Sequence, residues 1–160
     1  MAEKYAALLK RLYKTEALDL YKKVYCVTLD DMKIVEVSAA IVIKDKKVFC
    51  AQRPDRGSLG LFWEFPGGKV EPGENPKATV VRELEEEMDT ELEAGSLLCT
   101  IEHDYETFHL TMHCYLCSVI SGEFKLKEHL ASRWLDKEQL YSVNWAPADL
   151  KILPIIEAYI

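Results

Sequence analysis

The chain has 160 residues, 49% hydrophobic and 29% charged, a balance that supports one globular domain with a sizeable core. A formal net charge of -7 argues against a polyanionic partner, whether a nucleic-acid polymer or an anionic membrane. No apolar run approaches the ~18 residues of a membrane-spanning helix, and the N-terminus lacks the apolar core of a signal peptide.

The first 33 residues carry an apolar stripe at helical period: Tyr5, Leu8, Leu9, Leu12 and Tyr13, continued by Ala17, Leu20, Tyr21 and Val24. This predicts a helical extension over residues 1–33, packed on the domain or on a second subunit, ahead of a domain over 34–160. Met32-Lys-Ile-Val-Glu-Val also suits the start of a chain, so an origin at Met32 stays open. The same two readings leave monomer and homodimer as alternatives.

Ile34 to Ile43 is β-branched and apolar, a strand, and Lys44-Asp45-Lys46-Lys47 turns it into a return strand over Val48 to Arg53. Pro54, Gly57 and Gly60 mark a loop. Phe62 to Phe65 is a short strand feeding Pro66-Gly67-Gly68, which reads as a glycine turn before a helix. Beyond that helix, Glu91 to Tyr105 and Phe108 to Ile120 form a long hairpin, and Ser121-Gly122 turns the chain. Lys125 to Ala131 has no assignable pattern. Arg133 to Leu135 is a short strand, Asp136 caps a brief helix, and a last helix starts near Ala148 with Pro154 kinking it. Mixed strands and two main helices make an α/β protein.

The five cysteines are odd in number and scattered through apolar segments, as expected of reduced thiols in a cytoplasmic protein. Cys114 and Cys117 form a C-x-x-C inside a strand, where they point to opposite faces and suit neither zinc nor redox chemistry. His109 and His113 share one strand face with Thr111 and Tyr115, which suits the core or a pocket wall better than metal binding.

The central helix is the informative stretch. Asn75 followed by Pro76 is a cap and a first helical residue, and Ala78, Val81, Leu84 and Met88 give its buried stripe. Glu83, Glu86 and Glu87 stand at i, i+3 and i+4, so their carboxylates share one patch. Like charges at this spacing cost roughly 0.2–0.5 kcal/mol per pair, and a helix C-terminus adds ~0.3–1 kcal/mol against each anion. Arg82 compensates in part. Such a cluster is either a solvated acidic face or a site for a hard cation such as Mg²⁺ or Mn²⁺.

The spacing Gly68-x5-Glu74-x7-Arg82-Glu83-Leu84-x-Glu86-Glu87 resembles the Nudix box of nucleoside-diphosphate-linked hydrolases. Asp89 and Thr90 depart from the family's usual Gly and apolar residue, although Asp tolerates the left-handed backbone that such a Gly adopts. The likeness extends to Ala51-Gln52-Arg53-Pro54, Trp63-Glu64-Phe65, Glu128, Trp134 and Ala146-Pro147-Ala148-Asp149. It is closest to the MutT-like branch, in its CTP or dCTP pyrophosphohydrolases and its 8-oxo-dGTP diphosphatases.

That resemblance implies a curved mixed sheet between helices and hydrolysis of a nucleoside triphosphate to monophosphate and pyrophosphate. It implies that Glu83, Glu86, Glu87 and the Gly67 carbonyl hold Mg²⁺, with Mn²⁺ as substitute, and that Glu128 is a further carboxylate or base. Arg53 and Lys69 would bind phosphate; Gly68, Glu74 and Arg82 would brace the box. Asp149, Phe65, Phe108 and Leu110 would form the nucleobase pocket, with an accepting carboxylate at Asp149 favouring the amine of cytosine. Each has a plainer reading: Arg53 as an ion pair with the acidic helix, Glu128 as solvated surface, Asp149 as a helix cap. A non-catalytic nucleotide-binding module and an ADP-ribose or dinucleoside-polyphosphate hydrolase are the competing functions.

Overall fold

The computed structural model describes residues 33–160, and the helix expected before Lys33 lies outside the described residues. Strands β1 (Lys33–Lys44) and β2 (Lys47–Gln52) are antiparallel and joined by Asp45 and Lys46 alone. Both turn residues have positive φ, 49° and 57°, the twist that suits a two-residue hairpin. Then follow β3 (Trp63–Glu64), β4 (Gly67–Lys69), helix α1 (Pro76–Met88), β5 (Glu91–Asp104), β6 (Phe108–Ser121) and β7 (Ala131–Leu135). Two short helices, α2 (Pro147–Leu150) and α3 (Leu153–Ile156), end the chain; Pro154 lies in the first turn of the second, and the last helix is broken in two rather than kinked.

The strands make one curved sheet in the order β3-β2-β1-β6-β5, with β4 also on β1 and β7 also on β2. β1 is buried on both faces and sorts its side chains by parity. Ala39 and Ile41 join a core with Phe65, Met112, Leu140, Ile152 and Leu153 from the terminal helices' side. Ala40 and Val42 join Phe49, Val80, Leu84 and Met88 on the side of α1. The result is an α/β sandwich.

Three further sequence expectations need correction. Gly67 and Gly68 do not turn the chain: they pair as strand β4 with Ala39 and Ser38, and the turn comes later at Gly73, φ +81°. The buried face of α1 is Thr79, Val80, Leu84 and Met88; Ala78 is exposed and Val81 half-buried. The helix is rolled by about one residue, which brings Thr79 into the buried face with its hydroxyl donating to Glu74, 2.8 Å away. Asp136 closes a turn by accepting from the Gln139 N–H at 3.0 Å, but no helix follows it.

Both ends of α1 are capped. Asn75 accepts from the Lys77 N–H at 2.9 Å, and Asp89 takes the left-handed conformation with φ 55° and ψ 35°. The stretch from Lys125 to Ala131, without a pattern in the sequence, serves this helix. The N–H groups of Lys125 and Lys127 donate to the carbonyls of Met88 and Glu87 at 2.9 and 3.1 Å, and the Lys125 ammonium pairs with Asp89 at 2.7 Å. Donors and cations therefore stand where the helix ends in unpaired carbonyls and negative dipole.

Candidate active site

A cavity of about 460 Å³ opens between β1, β4, α1 and the β5–β6 hairpin. Arg53, Glu64, Gly67, Gly68, Lys69, Glu83 and Glu87 line its polar end. Phe65, Tyr105, Phe108, Leu110, Met112 and Asp149 line its apolar end. Of the residues singled out from sequence, the fold brings ten to this cavity and leaves Glu74, Arg82, Glu86 and Glu128 off its walls.

The glycines are there for close approach. A β-carbon on Gly67 would fall 1.9 Å from the Ser38 carbonyl oxygen, and one on Gly68 would fall 2.2 Å from the Glu83 carboxyl carbon. The Ala40 N–H bonds Pro66 at 2.8 Å and the Val70 N–H bonds Glu36 at 3.0 Å, so the alternating antiparallel pattern leaves the Gly67 carbonyl off the β1 ladder.

Arg82 organises the carboxylates beside this strand. It donates to Glu74 from Nε at 2.8 Å and from Nη2 at 3.0 Å, and to Glu83 and Glu86 from Nη1 at 3.0 and 3.1 Å. Glu74 also receives the Glu71 N–H at 3.1 Å. Hydrogen bonds from Arg82 hold the Glu74 carboxyl down to about 2. Glu83 is 14% exposed and faces the cavity, whereas Glu86, 60% exposed, is drawn outward to Arg82. Burial, joined by the charges of Glu83, Glu128 and Glu64, pushes Glu87 up to about 7. Among the described residues no three His, Cys, Asp or Glu side chains are gathered closely enough to grip a metal ion as they stand. The donors nonetheless suit a hard divalent cation: Glu83 fits only because Gly68 has no side chain, and Glu87 sits among like charges that a cation would relieve.

Arg53 does not pair with the acidic helix. Its Nη1 meets Glu64 Oε2 at 2.6 Å, and the other oxygen of Glu64 meets His129 Nε2 at 3.0 Å. Sequence reasoning gave no role to Glu64, which lines the cavity, or to His129, which meets Glu64 from outside the cavity wall; the adjacency of His129 to Glu128 was the available signal. His109 and His113 lie in neither core nor pocket. His109 bridges Asp104 and Glu102 at 2.5 and 2.6 Å, and His113 meets Glu36 at 2.7 Å, on the outer side of the hairpin.

At the apolar end Tyr105, also missed, stacks on Phe108 with centroids 4.7 Å apart, and Phe65 packs against Trp145 at 4.6 Å. Asp149 is 6% exposed and accepts the Phe65 N–H at 2.8 Å. Asp149 is the third residue of α2 and Ala146 stands at its N-cap, so the capping role drops out. Burial, reinforced by the charge of Glu64, pushes Asp149 up to about 8. That shift favours the protonated carboxyl, which presents a donor beside an acceptor, where the sequence suggested an acceptor only.

Comparison with known proteins gives the family of this fold. A family model described as a NUDIX domain matches residues 38–154. The CTP pyrophosphohydrolase of Escherichia coli K12 is 35% identical over 128 residues, covering 80% of this chain and 93% of that protein. The 8-oxo-dGTP diphosphatase of Proteus vulgaris is 37% identical over 99 residues, covering 61% of this chain and 88% of that protein. The solution structure of a DNA mismatch repair protein MutT from methicillin-resistant Staphylococcus aureus 252 superposes with a TM-score of 0.67 at 39% identity, over 81% of this chain and 99% of that one. The chain belongs to the Nudix family of hydrolases.

Proposed function

We propose that this protein is a Mg²⁺-dependent nucleoside triphosphate pyrophosphohydrolase that converts CTP or dCTP, or a modified pyrimidine form, to the monophosphate and pyrophosphate. The carrying observation is one cavity with carboxylates and cations at one end and aromatic walls with a buried carboxyl at the other. That is the polarity of a nucleotide: charged tail, flat base.

Nudix hydrolases generally use divalent metal ions. Glu83, Glu87 and the Gly67 carbonyl would hold Mg²⁺ (or Mn²⁺) here, with Glu86 swinging in from Arg82. When bound, the ion masks phosphate charge and acidifies the attacking water. Arg53 and Lys69 add positive charge along the phosphate chain. Glu128 lies close enough for its charge to raise Glu87, and it is the candidate base for the water proton. The water oxygen bonds to the α- or β-phosphorus as the bridging P–O bond between them breaks, the water proton passes to the base, and monophosphate and pyrophosphate separate. Catalysis is mostly positioning and charge stabilisation.

Phe65, Phe108 and Leu110 would enclose the base and Asp149 would read its edge. A protonated carboxyl donates to cytosine N3 while accepting from its exocyclic amine. Because Oδ1 already accepts the Phe65 N–H, the proton belongs on Oδ2. A guanine edge also offers N–H donors, and several relatives are named 8-oxo-dGTP diphosphatases, so 8-oxo-dGTP is the second reading. A non-catalytic module is disfavoured by the retention of both Glu83 and Glu87 at the cavity.

The working unit is residues 34–160, acting on a free nucleotide rather than on a polymer or membrane. A cytoplasmic setting fits thiols that burial pushes up to about 12 at Cys50 and Cys117. No helix among the described residues is long and apolar enough to cross a membrane. The test is a screen of canonical, methylated and oxidised nucleoside triphosphates with Mg²⁺, scoring pyrophosphate separately from orthophosphate. Fastest turnover of cytosine nucleotides is expected; preference for 8-oxo-dGTP would favour the second reading, and orthophosphate as product would refute both.

A further inference from the structure

Three ionisable side chains meet where β2 ends, and one of them, His129, does not line the cavity. β2 lies between β3 and β7, with Ala51 opposite Glu64 on one side and Ser132 on the other. Arg53 follows β2, Glu64 ends β3, and His129 leads into β7. The Leu130 N–H donates to the Gln52 carbonyl at 2.9 Å and fixes the approach of His129.

Glu64 divides its oxygens between its neighbours: Oε2 takes Arg53 Nη1 at 2.6 Å and Oε1 takes His129 Nε2 at 3.0 Å. The imidazole is 5% exposed, and its Nδ1 is buried with no partner. An apolar side chain would fill that space without an orphaned nitrogen. Among the described residues the single polar contact of this buried ring is with the carboxylate that holds Arg53. Without it, the terminal torsion of Glu64 is broad and twofold, and the guanidinium resting on one oxygen would follow it.

We propose that His129 is a positioning residue: by donating from Nε2 it locks Glu64 and so aims Arg53 into the polar end of the cavity. The contact needs an N–H at Nε2, because a carboxylate only accepts. The chain of contacts is tertiary and rigid, with the segment carrying His129 also tied to α1 through Lys125 and Lys127. The proposal rests on reading Arg53 as a phosphate-binding group.

The test compares His129→Leu, His129→Gln and His129→Asn with wild type. A Gln amide nitrogen reaches the place of Nε2; Asn is as polar but one methylene too short. With the preferred triphosphate, Leu and Asn should raise KM about tenfold with kcat held within about twofold, and Gln should restore KM. Independently of activity, the buried Nε–H of Arg53 should give a sharp NMR resonance in wild type and Gln, and a broadened or shifted one in Leu and Asn. A fall in kcat at constant KM, equal behaviour of Gln and Asn, or an unmoved Arg53 resonance in the Leu and Asn proteins would overturn the proposal. Should wild type hydrolyse no triphosphate, the proposed function falls, and the Arg53 resonance alone decides the role of His129.

Discussion

Gly68 and Glu83 touch so closely that a β-carbon on Gly68 would lie 2.2–2.4 Å from the three carboxylate atoms of Glu83. The glycine before the helix and the first carboxylate on it are thus one device, separated by 15 residues in sequence and joined by the pairing of β4 with β1.

Gly68→Ala should push aside the free end of Glu83 and leave the fold nearly intact. Activity should fall by about 10² or more with little change in urea midpoint. Gly67→Ala meets backbone instead, at Ser38, and should destabilise the fold by roughly 2–4 kcal/mol. Paired activity assays and urea titrations distinguish the two; equal loss of stability in both would contradict the account.

Glu83→Gln and Glu87→Gln should each lower kcat by about 10²–10³ while the protein stays folded. For Glu87 a stability effect follows. Its folded pKa is raised to about 7 from an unfolded value of ~4.3, so the associated stability is present below ~4.3 and lost as pH rises through about 7. In chelator, Glu87→Gln should match wild type near the lower pH. Above about 7 it should exceed wild type by on the order of 1 kcal/mol, discounted for partial exposure. Urea midpoints across that range check the sign.

Asn reproduces a protonated carboxyl, accepting through Oδ1 and donating through Nδ2. Asp149→Asn should therefore keep kcat/KM for cytosine nucleotides within about tenfold, whereas Asp149→Leu loses the pairing. Wild-type kcat/KM should fall as pH rises through about 8, and the Asn variant should not. The raised folded pKa also means that wild type loses stability up to about 8 while the Asn protein does not. A flat wild-type profile, or an inactive Asn variant at neutral pH, would remove Asp149 from base reading.

Removing residues 1–31 should leave an active hydrolase, since every residue lining the cavity lies between Val35 and Asp149. Activity and gel filtration of the truncated protein check this; loss of turnover would show that the extension supports the domain.

The central helix, its caps and the two hairpins were legible because their signals are local. Asn75-Pro76 and the carboxylate spacing need no partner to be read. Strand β4 was not legible: glycines that serve close approach look like glycines that serve a turn, and only the contact with Ser38 tells them apart. The buried face of α1 was misplaced by one residue because periodicity gives a stripe but not its roll against the sheet. Glu64 and His129 stand 65 residues apart and form a pair through strand order, which no local pattern carries. The raised pKa of Asp149 likewise comes from burial, a property of the assembled core.

The most direct measurement is the product analysis of CTP and dCTP turnover with and without Mg²⁺, in wild type and in Glu83→Gln. The account predicts monophosphate and pyrophosphate in equal amounts from wild type with Mg²⁺, almost none in chelator, and almost none from the variant. Release of orthophosphate, or turnover that survives both metal removal and Glu83→Gln, would contradict it.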